Sequence, residues 1–104
     1  MYARVTTFHI SPKSMDEVSK IYEESIIPAA KKQPGFKKAF FLTNNNAGKF
    51  VSITIWESTD LAIANQKTGY YQAQLDKLEQ FNVVKPEVEG FGVGAISIWP
   101  FADN

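Results

Sequence analysis

The sequence predicts an α+β fold: a four-stranded antiparallel sheet with two helices on one face, in the order strand, helix, strand, strand, helix, strand. Three observations carry that expectation. Val51, Ile53 and Ile55 alternate with Ser52, Thr54 and Trp56, the period of two expected of a strand, and residues 2–10 and 36–43 read as strands in the same way. Two stretches opening at Ser14 and Ser58 carry apolar residues three and four apart, the spacing of a helix with one buried side. Pro34-Gly35, the Asn-rich turn at 44–49 and Lys85-Pro86 separate these runs.

In chain order, Arg4, Thr6, Phe8 and Ile10 alternate with Ala3, Val5, Thr7 and His9 in a first strand with two mixed faces, which Pro12 ends. Ser14-Met15-Asp16-Glu17 fits a capping box, in which the Ser and Glu side chains each satisfy a backbone N–H at the helix start. The helix puts Met15, Val18, Ile21, Tyr22, Ile26 and Ala29 on one side. Pro28 removes the hydrogen bond to the Glu24 carbonyl, which predicts a kink rather than an end, and Pro34-Gly35 is the stop. The turn at 44–49, rich in residues that tolerate positive φ, joins the second strand to the third as a hairpin. In the third strand Val51, Ile53 and Ile55 form a plain core face, and Phe50, Ser52, Thr54 and Trp56 a mixed one. Ser58 caps the second helix with Asp60 in its first turn, Gly69 divides it in two, and Tyr71, Leu75 and Leu78 form its buried stripe. Residues 88–99 are the last strand. Its Gly90, Gly92 and Gly94 do not form a dinucleotide loop, because strand rather than helix follows; they mark bulges or close backbone approach. This order is the ferredoxin-like βαββαβ arrangement.

With 104 residues the chain is expected to form a single domain over 1–104. Eleven basic and eleven acidic residues cancel, so no net field draws it to nucleic acid or anionic lipid, and neither is an expected partner. The absence of Cys removes disulfides and a thiolate nucleophile from consideration. Neither a leader peptide nor a membrane span is legible, which reads as cytoplasmic. His9 is the only histidine, so no metal set is recognisable, and no Ser–His–acid triad can be assembled from spacing. No cofactor is expected. Two helices cover one side of a four-stranded sheet, yet the other side has apolar positions on every strand, which predicts a homodimer with facing sheets. Trp99 and Phe101, flanking Pro100, could reach the partner; the alternative is that they merely cover their own subunit.

Gln33-Pro34-Gly35-Phe36 after the first helix, Trp56-Glu57-Ser58 at the end of the third strand and Tyr70-Tyr71 in the second helix resemble the antibiotic biosynthesis monooxygenase family of the dimeric α+β barrel superfamily. The resemblance covers nearly the whole chain and specifies fold better than chemistry. It implies small homodimers, some of which oxidise aromatic polyketides or quinols with dioxygen and without metal or flavin. In the haem-degrading branch, the places that look like Thr6, Asn65 and Leu75 hold Asn, Trp and His; Leu75 cannot ligate iron, so haem degradation is not implied. Quinol-oxidising relatives often carry His in the second helix region, where this chain has Asn65 and Tyr70.

The resemblance places Thr6 facing the helices. Arg4, Thr6 and Phe8, with Asn65, Tyr70, Tyr71 and Trp56, would then line a cleft between sheet and helices; the alternative is an ordinary core with polar tips at its edge. Arg4 is the sharpest of them: it is expected either to reach water at the strand end or to meet an anion, since its charge cannot be shed. As a monooxygenase site, Tyr70 or Tyr71 and Asn65 would hydrogen-bond a phenolate and Arg4 would stabilise its charge. Thr6, Phe8 and Trp56 would contact the small aromatic ligand, and His9 would be the base if it faces the cleft. The competing expectation is a non-catalytic dimeric ligand-binding or stress-associated protein on the same scaffold.

Overall fold

The computed structural model describes residues 1–97. Strands β1 (Tyr2–His9), β2 (Phe36–Asn44), β3 (Lys49–Trp56) and β4 (Glu87–Gly92) form one sheet in the order β2-β3-β1-β4. Every neighbouring pair is antiparallel. Helix α1 (Met15–Ile21) passes through a π-helical turn (Tyr22–Ile26) into α2 (Ile27–Lys31). The second helical stretch is α3 (Thr59–Lys67) and α4 (Tyr70–Asp76). The fold is ferredoxin-like α+β, as the order of elements predicts.

Several local expectations hold for the reasons given. Ser58 is extended and its side chain accepts from the Leu61 N–H at 3.2 Å. Gly69, at φ 87°, separates α3 from α4 in a conformation other residues resist. Gly35 also has positive φ, and a Cβ there would meet Leu61 Cδ1 at 2.7 Å, so α3 lies directly on the turn. The Gly35 carbonyl accepts from Glu57 N–H at 2.7 Å, and Phe36 meets Trp56 edge-on at 5.7 Å. The two sequence signatures are therefore two sides of one contact.

Other expectations need correction. Ser14 makes no capping bond: it sits in a helical conformation (φ −98°, ψ −4°) at the end of a 3-10 turn over Pro12–Ser14, which turns its side chain away from the free N–H groups. The helix runs on past Pro28, as expected, but the irregularity lies before the proline rather than at it. The wide turn at Tyr22–Ile26 precedes it, and because such a turn takes up an extra residue, the buried position falls on Ala30 rather than Ala29. The last strand ends at Gly92, not Trp99. Gly92 pairs with Tyr2 and Val93 N–H bonds the Met1 carbonyl, so β4 stops where β1 has no more backbone to offer. Trp99, Pro100 and Phe101 lie outside the described residues.

The largest correction concerns the two faces of β3. Phe50, Ser52, Thr54 and Trp56 point to the helices together with Thr6 and Phe8, while Val51, Ile53 and Ile55 lie on the opposite face, which none of the described helices covers, although Ile55 itself is buried. The mixed face is the inner one. There Phe8 stacks on Phe50 at 4.5 Å, and Met15, Val18, Tyr22, Ile26 and Leu78 complete the core. On the open face Val51 and Ile53 join Val5 of β1, Phe40 and Leu42 of β2 and Phe91 of β4. Phe40 is 46% exposed, Leu42 52% and Phe91 44%. No helix among the described residues is long and apolar enough to cross a membrane.

Candidate functional site

Between the inner face of the sheet and the helices lies a cleft walled by Phe8, Tyr22, Trp56, Tyr70, Tyr71 and Leu75. Its space is about 430 Å³ including the open mouth, of which about 40 Å³ admits the centre of a water molecule, so it is a narrow slot. Alternation along β1 and β3 sends Arg4, Thr6, Ser52 and Thr54 into it from the sheet. Gly69 sets the start of α4, which delivers Tyr70, Tyr71 and Gln74 from the other side.

Arg4 is 3% exposed. It is buried rather than open to water at the strand end, and among the described residues its acceptors are neutral: Nη1 donates to Asn65 Oδ1 at 3.2 Å and Nη2 to the Ala62 carbonyl at 2.7 Å. The guanidinium stacks over Tyr71 at 4.5 Å and lies 5.3 Å from the Trp56 ring centre, contacts that stabilise a desolvated cation. Nε is buried with no hydrogen-bond partner among the described residues. Burial lowers the pKa of Arg4, but from a value high enough that the charge stays.

Asn65 is where the expected role changes. Arginine can only donate, so the amide oxygen must face Arg4, and Nδ2 donates to Gln33 Oε1 at 3.0 Å. Both ends of the amide are thereby committed, and the side chain stands behind Arg4 rather than on the slot surface. Asn65 positions the cation; it does not offer itself to a ligand. Gln33, from the turn signature, completes this brace from α2 through α3 to β1.

Tyr71 OH and Thr6 Oγ1 share a hydrogen bond of 2.7 Å. These two residues and Leu75 also border a wider surface cavity with Gln72, Asp76, Glu79 and Val88, so the Thr6–Tyr71 bond is the partition between the slot and that cavity. Burial raises the pKa of Tyr71 and of Tyr22, and pushes Tyr70 up to about 12. All three phenols are therefore protonated donors at neutral pH. Trp56 is fully buried, and its Nε1 donates to Thr54 Oγ1 at 2.9 Å.

His9 does not join them. As an odd-numbered residue of β1 it leaves the opposite side, pairing with Lys49 and bordering a surface cavity with Pro12, Gly48 and Val83. The base role requires His9 to face the cleft, which it does not. Tyr22 and Ser52, which share a 2.6 Å hydrogen bond at the inner end of the slot, were not anticipated as site residues. Tyr22 read simply as part of an apolar stripe; its hydroxyl, and two hydroxyls on the mixed face of β3, were the available signal. Tyr2 adds a further phenol near Arg4, lying across Gly90, where any Cβ would overlap its hydroxyl. That is the close approach expected at one of the three late glycines; nothing crowds Gly92 or Gly94.

The family model for antibiotic biosynthesis monooxygenases matches residues 1–77. The chain belongs to the antibiotic biosynthesis monooxygenase family. Solved structures of antibiotic biosynthesis monooxygenases and of other proteins share its fold. A monooxygenase from the gene ActVA-Orf6 of Streptomyces coelicolor, in complex with the ligand nanaomycin D, superposes with a TM-score of 0.76 at 19% identity, over 94% of this chain and 92% of that one. SnoaB, a cofactor-independent oxygenase from Streptomyces nogalater, has a TM-score of 0.69 at 16% identity, covering 91% and 94%. Rv0793 from Mycobacterium tuberculosis gives 0.71 at 11% identity, covering 93% and 98%. No curated protein matches in sequence. At these identities the likeness establishes the fold, and the chemistry of this family member has to be argued from its own slot.

Proposed function

We propose that the slot is the site of a cofactor-independent monooxygenase, which oxidises a small aromatic phenol or quinol with dioxygen. The observation that carries this reading is Arg4: a cation buried against two aromatic rings, with Nε unpartnered, at the edge of an apolar slot. Family membership and the oxygenase neighbours support it. An electron-rich aromatic anion in the slot would lay its ring against Phe8 and Trp56. It would receive hydrogen bonds on oxygen from Arg4 Nε and from Tyr70 or Tyr71. Holding the anion away from water favours transfer of an electron to dioxygen in the same enclosure. Overall, a phenol with a free ring C–H, or its anthrone tautomer with a ring CH2, and O2 give a quinone and water: one oxygen atom enters the ring as C=O, and the ring hydrogen and the phenolic hydrogen (both from the CH2 in the tautomer) leave with their electrons on the other.

The narrowness of the slot requires motion on binding. Swinging Tyr71 away from Thr6 would merge the slot with the adjoining cavity, of which about 330 Å³ admits water-sized centres. We further propose that the working unit is a homodimer formed by the open sheet faces, because their apolar side chains are uncovered in a single chain.

Oxygen uptake over a panel of hydroxyanthrones and quinols tests the chemistry. Uptake is expected in the absence of added cofactor, unchanged by chelator, and lowered about 10²-fold in Arg4→Ala, the scale for removing an electrostatic stabiliser. The same loss is expected in the double variant Tyr70→Phe/Tyr71→Phe. No uptake across the panel would leave the second reading, a ligand-binding protein without turnover, which the small free volume of the slot favours.

A further inference from the structure

The slot holds a full positive charge without a negative one. Its lining among the described residues contains no carboxylate, and the polar side chains on it carry guanidinium, hydroxyl, phenol, indole and amide groups. Arg4 has five N–H donors; its two hydrogen bonds are to neutral oxygens, and Nε is buried and free. A buried guanidinium without a counter-ion is costly, and the flat contacts with Tyr71 and Trp56 return only part of that cost. The remaining demand is for a planar oxyanion presented to Nε. No group on the slot is suited to remove a proton from a neutral phenol: His9 is on the other face, and the slot phenols keep their own protons.

Resting on the reading of this slot as the reacting site, we infer that its substrate is an acidic phenol or enol that arrives already ionised, with Arg4 as the counter-ion that selects the anion over its neutral form. The titratable groups facing Arg4 are Tyr2 and Tyr71, with Tyr70 beside them, and Tyr22 closes the far end. Burial holds Tyr22, Tyr70 and Tyr71 above the ordinary phenol value of 10. Between about pH 6 and pH 9, below the ordinary phenol pKa of about 10, the pH dependence of binding therefore comes from the ligand.

Calorimetric titration with 4-nitrophenol, which ionises near neutral pH, and with phenol, which does not, tests this without requiring turnover. The expected result is that affinity for 4-nitrophenol rises at least about tenfold as that ligand ionises, the scale of a charge-assisted hydrogen bond. Phenol binds at least as weakly as neutral 4-nitrophenol throughout. Asn65→Asp sharpens the test, because it sets a carboxylate where Oδ1 now accepts from Arg4 at 3.2 Å. That variant should fold, by circular dichroism, and lose the preference for the anion. Equal affinity for phenol and 4-nitrophenolate, tighter binding of the neutral form, unchanged anion preference in Asn65→Asp, or no binding of either ligand would overturn the inference. Binding of the anion with no oxygen uptake from any quinol would instead sink the monooxygenase reading and leave the anion site standing.

Discussion

The two faces of β3 differ in the opposite sense from simple expectation. The face under the helices carries Phe50, Ser52, Thr54 and Trp56, while the uncovered face carries Val51, Ile53 and Ile55. Hydroxyls can be enclosed because they pair locally: Ser52 with Tyr22 at 2.6 Å and Thr54 with Trp56 at 2.9 Å. The uniformly apolar face needs no such pairing, which suits it to a surface that meets another apolar surface. Polarity along a strand thus marks where chemistry can be housed, and uniform β-branching marks where association can occur.

The comparison is easiest to break on the inner face. Phe50→Ala removes a fully buried ring stacked on Phe8 and edge-on to Phe41, and should lower unfolding free energy in urea by about 3–5 kcal/mol. Ile53→Asp, on the same strand but facing out, should leave the circular dichroism of the protomer nearly intact. In sedimentation it should shift the proposed dimer to monomer, with association weakened at least about tenfold, the equivalent of about 1.4 kcal/mol. Equal loss of fold in both variants would erase the distinction between the faces.

A smaller effect tests the inner face by pH. Tyr70, on the helix side, has its pKa raised by burial from 10 to about 12, so the native state keeps a proton that the unfolded chain loses. Its contribution is present below pH 10 and is lost as pH rises through about 12. The urea midpoint of the wild type should therefore fall over this window more steeply than that of Tyr70→Phe. Parallel curves would show that Tyr70 is not desolvated by the slot.

How much of this was legible follows from the range of the interactions. Ser58, Gly35 and Gly69 act on their immediate neighbours, and their chemistry is readable from a few residues. The end of β4 was not, because it is set by where β1 begins, far away in sequence. The side chains expected to gather in a cleft largely do, yet the Asn65 amide turned out to serve Arg4 and Gln33, 61 and 32 residues away. Alternation revealed that β3 has two faces but could not say which would be roofed. His9 illustrates the same limit from the other side: residue type suggested a base, and strand parity removed it from the slot.

The wide turn over Tyr22–Ile26 has its own implication for how the chain tolerates change. Its middle residues Glu23 and Glu24 are exposed, while Tyr22 and Ile26 at its ends both border the slot. Deleting Glu24 would let the segment rewind to ordinary pitch with the helix downstream nearly unrotated, because the wide turn already absorbs that residue. The helix itself would survive such a shortening. What would be lost is the local bulge of backbone between Tyr22 and Ile26, so the effect falls on the cavity wall rather than on the helix that contains it.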